Sequence, residues 1–184
     1  MAQTVLTRPI VLVGLMGAGK TSVGRCLAEE LKAPFRDSDA EIEAAAGMTI
    51  PEIFEQFGER DFRAGEVRVI ARLLSEGPAV LATGGGAFMN AQVRANVAAE
   101  GLSVWINAPV AVLWDRVKGR THRPLLQNAD PYGVLSNLHA ERSPVYAKAD
   151  LIVPSAAEDK QVDVAGRILD KIRAERPEFL RSKT

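Results

Sequence analysis

The chain has 184 residues, 47% of them apolar and 25% charged, which suits one ordinary globular domain with a real core and excludes global disorder. Lys plus Arg balances Asp plus Glu at 23 each, so overall charge favours neither a nucleic-acid nor a membrane-surface partner, and any charged function must come from local clusters. The one cysteine, Cys26, excludes an internal disulfide and a thiolate metal cluster, and it fits a reducing, cytoplasmic compartment.

The apolar run from Pro9 to Met16 is too short to span a membrane and lacks the leader of a signal peptide. It reads as a buried first strand. It runs into Gly14-Leu15-Met16-Gly17-Ala18-Gly19-Lys20-Thr21, a match to the phosphate-binding pattern G-x-x-x-x-G-K-S/T, and Thr21 to Leu31 carries a helical stripe at Val23, Leu27, Ala28 and Leu31. Strand, glycine turn and helix are the context this motif requires. Glycines let the backbone wrap an anion, and the amides of Gly17, Ala18, Gly19, Lys20, Thr21 and Ser22 then point at phosphate oxygens. Lys20 reaches the β- and γ-phosphates, and the Thr21 hydroxyl ligates Mg2+. The loop alone does not separate kinases from GTP switches or motor ATPases.

A weak strand from Phe35 to Asp39 follows, with Asp37-Ser38-Asp39 at its end. In an extended chain Asp37 and Asp39 face the same way. One would steady the hydration of magnesium while the other meets substrate hydroxyls or takes a proton. Capping of a helix from Ala40 to Ala46 is an equal alternative, and the two readings are compatible. Helical periodicity then runs from Ile50 to Leu74, with Gly58 and Gly65 as candidate breaks. Arg63 and Glu66, at i and i+3, share a face. On spacing alone an ordinary surface ion pair is the favoured reading over a guanidinium locked to grip a carboxylate.

The run Ala79 to Thr83 ends in Gly84-Gly85-Gly86, where backbone can touch a ligand. Leu102 to Ile106 and Leu151 to Val153 are further strands, and Val110 to Val117 and Val162 to Ile172 further helices. Strands alternating with helices imply a parallel α/β sheet covered on both faces, with ligands at the carboxyl ends of the strands. The polar segment from Lys118 to Tyr132, punctuated by Gly119, Pro124 and Pro131, reads as a lid at about 118–132 rather than a plain connection. Arg116, Arg120 and Arg123 are spaced so that closure brings one of them to a transferring phosphoryl group. Glu141-Arg142 precedes Tyr146. The basic polar tail at about 173–184 has no assigned role. Trp105 and Trp114 are read as packing residues, and His122 and His139 lack metal-ligand spacing.

Together these motifs resemble the shikimate kinase family. The resemblance runs from Val11 to about Ser155 and rests on the ordered series Gly-x-Met-Gly-x-Gly-Lys-Thr, Asp-x-Asp, Phe-Arg-x-x-Glu, Thr-Gly-Gly-Gly, Arg-Pro-Leu-Leu and Glu-Arg-x-x-x-Tyr. It implies one P-loop kinase domain over 1–184, a three-layer sandwich of nucleoside-monophosphate-kinase type with a five-stranded parallel sheet of order 2-3-1-4-5. It implies transfer of the ATP γ-phosphoryl group to the 3-hydroxyl of shikimate by a monomer. By carry-over, Lys20, Asp39 and Arg123 are catalytic, with Asp39 the base and Arg123 the lid arginine on the phosphates. Thr21 holds magnesium directly, Asp37 through water. Arg63 and Arg142 clamp the carboxylate with support from Glu66, Gly84, Gly85 and Gly86 line the acceptor, Arg116 stacks on adenine, and Val153-Pro154-Ser155 forms the adenine loop. Ser38 stands where Thr is expected, a mild departure.

Two rivals remain at this stage. A kinase of the same fold acting on gluconate or a nucleoside monophosphate shares the chemistry, although the paired acids suit a hydroxyl-rich acceptor. A GTP switch would use Ala147-Lys148-Ala149-Asp150 as its guanine signature, but Ala147 lacks the required side-chain hydrogen bond, and no Asp-x-x-Gly follows the Ala79 to Thr83 strand.

Overall fold

The computed structural model describes residues 3–120 and 127–183. Its centre is a five-stranded, all-parallel sheet ordered β3-β4-β2-β5-β6, formed by β2 (Ile10–Val13), β3 (Phe35–Asp37), β4 (Val80–Ala82), β5 (Leu102–Asn107) and β6 (Leu151–Pro154). Apart from β1 (Gln3–Leu6), which lies outside this sheet, the order is the expected 2-3-1-4-5. All four residues of β2 are fully buried, as a central strand covered on both faces must be, and this explains its unbroken apolar run.

Seven helices are described: α1 (Lys20–Leu31), α2 (Ser38–Ala46), α3 (Ile50–Ser75), α4 (Ala91–Glu100), α5 (Val110–Val117), α6 (Pro131–Tyr146) and α7 (Gln161–Glu175). They flank the sheet, α1 against α7 and α3 against α4. Of the two glycines expected to interrupt the long helix, only Gly58 does so, at φ 80° and ψ 171°; Gly65 stays helical. The capping box of Thr49 and Glu52 fixes where that helix starts.

Three features differ from expectation. The second strand stops at Asp37, and Ser38 already begins α2, so Asp37 and Asp39 are not strand neighbours two apart. Two helices, α4 and α6, had no sequence counterpart. The tail also has a structural role: after α7 a short 3-10 turn (Pro177–Phe179) leads into β7 (Leu180–Lys183), which pairs antiparallel with β1. Phe179 is fully buried beneath the guanidinium groups of Arg8 and Arg176.

Candidate active site

A cleft of about 320 Å³ opens over the carboxyl ends of β2, β3 and β4. Its wall includes the loop Met16–Ser22, both Asp37 and Asp39, Gly84 and Gly85, Arg116 and Arg120, and Ser155. The chemical residues thus gather just beyond the apolar runs, where an open parallel sheet leaves its crevice.

The loop between β2 and α1 takes positive φ at Gly14, Gly17 and Gly19. Lys20 curls over it and donates to the carbonyls of Gly14 (2.7 Å) and Leu15 (3.1 Å). Thr21 donates its hydroxyl to Asp37 Oδ2 at 3.0 Å, while Asp37 Oδ1 accepts the amides of Asp39 and Ala40. Asp37 is therefore the cap of α2 and a wall of the phosphate cleft at once, so the capping reading holds and the cap also faces the cleft. Two hard oxygen donors side by side fit Mg2+, which keeps most of its water and takes further ligands from substrate phosphates. Among the described residues no group of three or more His, Cys, Asp or Glu is placed to hold a metal.

Asp39 is brought into the cleft by the first turn of α2. Burial pushes its carboxyl above the ordinary range, the charge of Asp37 pushes the same way, and Lys20 and Arg63 pull it back. The triple glycine explains itself against this side chain. A Cβ on Gly84 would stand 2.7 Å from Asp39 Oδ1, and one on Gly86 would stand 2.5 Å from Arg63 Nη2, so any larger residue displaces an acid or a guanidinium. At Gly85 the same point lies 3.6 Å from Arg142 Nη1 and 3.7 Å from the Met16 amide. Three consecutive glycines after β4 thus leave room, in turn, for a carboxylate and two arginines that come from three different helices.

Arg63 pairs with Glu66 at 2.8 Å, and the Glu66 side chain is 1% exposed. The favoured surface-pair reading fails here, because the pair faces inward. Burial raises the Glu66 carboxyl, and its bond to Arg63 opposes that rise. Asp39 and Arg142 lie within electrostatic reach of the same carboxylate. On the other wall, Arg116 donates to Gly17 O (3.2 Å), Ser155 Oγ (3.1 Å) and Ala156 O (2.8 Å), joining the phosphate loop to the segment after β6.

The family model for shikimate kinase matches residues 16–173. The chain belongs to the shikimate kinase family. Similar curated proteins include the shikimate kinases of Bradyrhizobium diazoefficiens, 60% identical over 80% of this chain and 72% of the relative, and of Mesorhizobium japonicum, 54% identical over 90% and 81%. Among solved structures, shikimate kinase from Acinetobacter baumannii in complex with shikimate superposes with a TM-score of 0.87 at 42% identity, covering 92% of this chain and 95% of that one. Family membership makes the chain an ATP-dependent phosphotransferase with an alcohol acceptor, and the GTP-switch reading is set aside.

Of the site residues expected for this family, Lys20, Thr21, Asp37, Asp39, Gly84, Gly85 and Arg116 line one cleft, and Arg63, Glu66, Gly86 and Arg142 adjoin it through the glycine loop. Arg123 lies outside the described residues. Two participants had no sequence signal of their own. Ser38 is fully buried and accepts the Gly84 amide at 3.2 Å, so the residue between the two acids is an anchor for the glycine loop. Tyr146 is 1% exposed and donates its hydroxyl to the Gly85 carbonyl. Its place in the Glu-Arg-x-x-x-Tyr series was the available clue.

Proposed function

We propose that this member of the shikimate kinase family transfers the γ-phosphoryl group of ATP to the 3-hydroxyl of shikimate. The observation that carries the reading is the glycine loop, whose three residues each leave the space that one charged group occupies: Asp39 at Gly84, Arg142 at Gly85 and Arg63 at Gly86. Two guanidinium groups suit a carboxylate, a lone carboxylate suits hydroxyls, and Lys20 lies within electrostatic reach of that carboxylate. An acceptor bearing both an acid and ring hydroxyls fits this arrangement.

In the proposed reaction Arg63 and Arg142 hold the acceptor carboxylate, with Glu66 fixing the fork of Arg63. Asp39 accepts a hydrogen bond from the 3-hydroxyl and takes its proton as the oxygen attacks the γ-phosphorus. The new P–O bond forms as the bond from the γ-phosphorus to the β,γ-bridging oxygen breaks, and ADP leaves with that electron pair. A carboxyl pushed up by burial is a better proton acceptor than an ordinary aspartate. The amides of Gly17 to Ser22 and the Lys20 ammonium neutralise charge that builds on the phosphoryl oxygens. Mg2+ supplies charge neutralisation on the phosphates when bound; the Thr21 hydroxyl would hold it, with Asp37 acting through its water. Arg116 would pack on the adenine, and Arg123, in a lid that ends before α6 begins at Pro131, would close on the phosphates and exclude water.

The test is ADP release in a coupled assay with Mg-ATP against shikimate, gluconate and nucleoside monophosphates. Saturable turnover with shikimate alone is expected. Equal or greater turnover with gluconate would move the reading to that acceptor.

A further inference from the structure

We propose that Tyr146 is a positioning residue that sets the acceptor-carboxylate clamp against the phosphate loop. The proposal rests on the acceptor reading above and deepens it. Tyr146 ends α6 and is almost wholly buried, yet its hydroxyl is not left over from packing. It donates to the Gly85 carbonyl, and the guanidinium of Arg142, one turn earlier on the same helix, lies within electrostatic reach of it. A phenol oxygen offers one donor and two lone pairs, so the hydroxyl that donates to Gly85 still turns lone pairs to the guanidinium side. Burial pushes the phenol above its ordinary range, which keeps the proton in place for Gly85.

The ring does a second job. Its centroid lies 5.7 Å from that of Trp105, tilted by 30°. The Trp105 ring edge in turn backs Gly14, lying 3.4 Å from the point a Cβ there would occupy. Tyr146 therefore adjoins the glycine loop and the acceptor arginine, and reaches the origin of the phosphate loop through Trp105. Arg142 sits on a half-buried helix face and has long rotamer-rich geometry to lose. The Tyr146 hydroxyl dipole favours its end group beside Gly85, whose carbonyl the same hydroxyl holds.

Tyr146→Phe keeps the ring and removes the hydroxyl. Losing the hydroxyl releases the Gly85 carbonyl and removes a dipole beside Arg142, an effect worth roughly tenfold in affinity, so the KM for shikimate is expected to rise about tenfold, with the KM for ATP changed less than about twofold. Because the effect acts largely through Arg142, Tyr146→Phe made on top of Arg142→Ala should change kcat/KM for shikimate by less than about threefold. An unchanged shikimate KM, equal rises for both substrates, or full additivity in the double variant overturns the proposal. A wild-type measurement covers the case of a poorly folded variant. The protein has two tyrosines, Tyr132 and Tyr146. Labelled with 3-fluorotyrosine and assigned with Tyr132→Phe, the Tyr146 fluorine resonance should shift on adding shikimate, and a resonance that does not move rejects the proposal. If the wild type does not phosphorylate shikimate at all, the acceptor reading fails; if it does and Tyr146→Phe behaves like wild type, only the positioning role fails.

Discussion

The Thr21 hydroxyl and the Asp37 carboxylate meet at 3.0 Å across the mouth of the phosphate cleft, joining the first turn of α1 to the end of β3. Because Asp37 also caps α2, its removal has two consequences that different substitutions separate. Asn caps about as well as Asp, so Asp37→Asn should leave the melting temperature nearly unchanged while raising the Mg2+ concentration for half-maximal rate by about 10–100-fold. Asp37→Ala should show the same magnesium defect and lose about 1 kcal/mol of stability besides. Magnesium titrations of initial rate, with thermal melts alongside, measure both. A magnesium requirement that does not move in either variant rejects the metal role.

Lys20 donates to two loop carbonyls, and in the proposed reaction its ammonium meets the charge that builds on the phosphoryl group. Lys20→Met should lower kcat by about 10²–10³-fold or more, as the loss of a preorganised donor does, with a circular dichroism spectrum like that of the wild type. Turnover at the wild-type rate would remove Lys20 from the chemistry.

The inward-facing pair of Arg63 and Glu66 gives a sharper outcome than a surface pair. Glu66→Ala removes the buried partner and leaves Arg63 with the exposed Glu59, 3.7 Å away, so it should lower stability and raise the KM for the acceptor. Glu66→Gln keeps an acceptor oxygen for Arg63 and should recover much of the stability. Arg63→Ala and Arg142→Ala should each raise the acceptor KM and leave the ATP KM close to wild type. Affinity lost for ATP alone would mean the two arginines belong to the nucleotide.

The phosphate loop, the five strands and the acids at the second strand end were legible in the sequence because each is a local pattern with a local cause, while the strand order followed from the family resemblance. Where the reading stopped short, the cause was tertiary. The helices α4 and α6 bury only Val93 and Val97 in one case and Leu135 and Tyr146 in the other, too few for a clear stripe. The ribbon of β1 and β7 joins Gln3 to Lys183, and nothing local in a polar tail announces a partner at the opposite end of the chain. Arg63 and Glu66 looked like a surface pair because spacing carries no information on burial. Ser38 looked like a mild substitution because the amide it accepts belongs to Gly84, 46 positions away.

Asp39 sets function against stability. Its carboxyl is raised by burial first and by Asp37 second, so the folded protein holds the proton more tightly than the unfolded chain does. The sign follows: this group favours the fold below the ordinary aspartate pKa of 3.8, and that contribution is lost as pH rises through the folded value. Asp39→Asn should therefore raise the melting temperature at neutral pH while lowering kcat by about 10²–10⁴-fold, the range for loss of a general base. The acid limb of the wild-type kcat/KM profile should lie above the ordinary aspartate range and vanish from the residual activity of the variant. A lower melting temperature together with an unshifted acid limb would remove Asp39 from the role of base.

The segment after β6 is shaped by a pair that lies behind the cleft. Asp159 accepts the Ala156 amide at 2.6 Å and both terminal nitrogens of Arg167, and Arg167 also donates to the Pro154 carbonyl at 2.8 Å. Ser155 and Ala156, held between these contacts, are the residues that accept from Arg116. The Arg167 bond holds the Asp159 carboxyl down at about 2. Its stabilising contribution is thus complete above the unfolded value of 3.8 and lost only as pH falls through about 2, so nucleotide binding should show no titration from this pair near neutrality. Arg167→Ala frees the loop and with it the outer anchor of Arg116. The KM for ATP should rise about tenfold, discrimination between ATP and GTP should narrow, and the KM for the acceptor should stay near the wild-type value. Steady-state kinetics with both nucleotides decides it: a variant that loses acceptor affinity and keeps its nucleotide preference would show that the pair braces the fold in general and has no particular hold on the base.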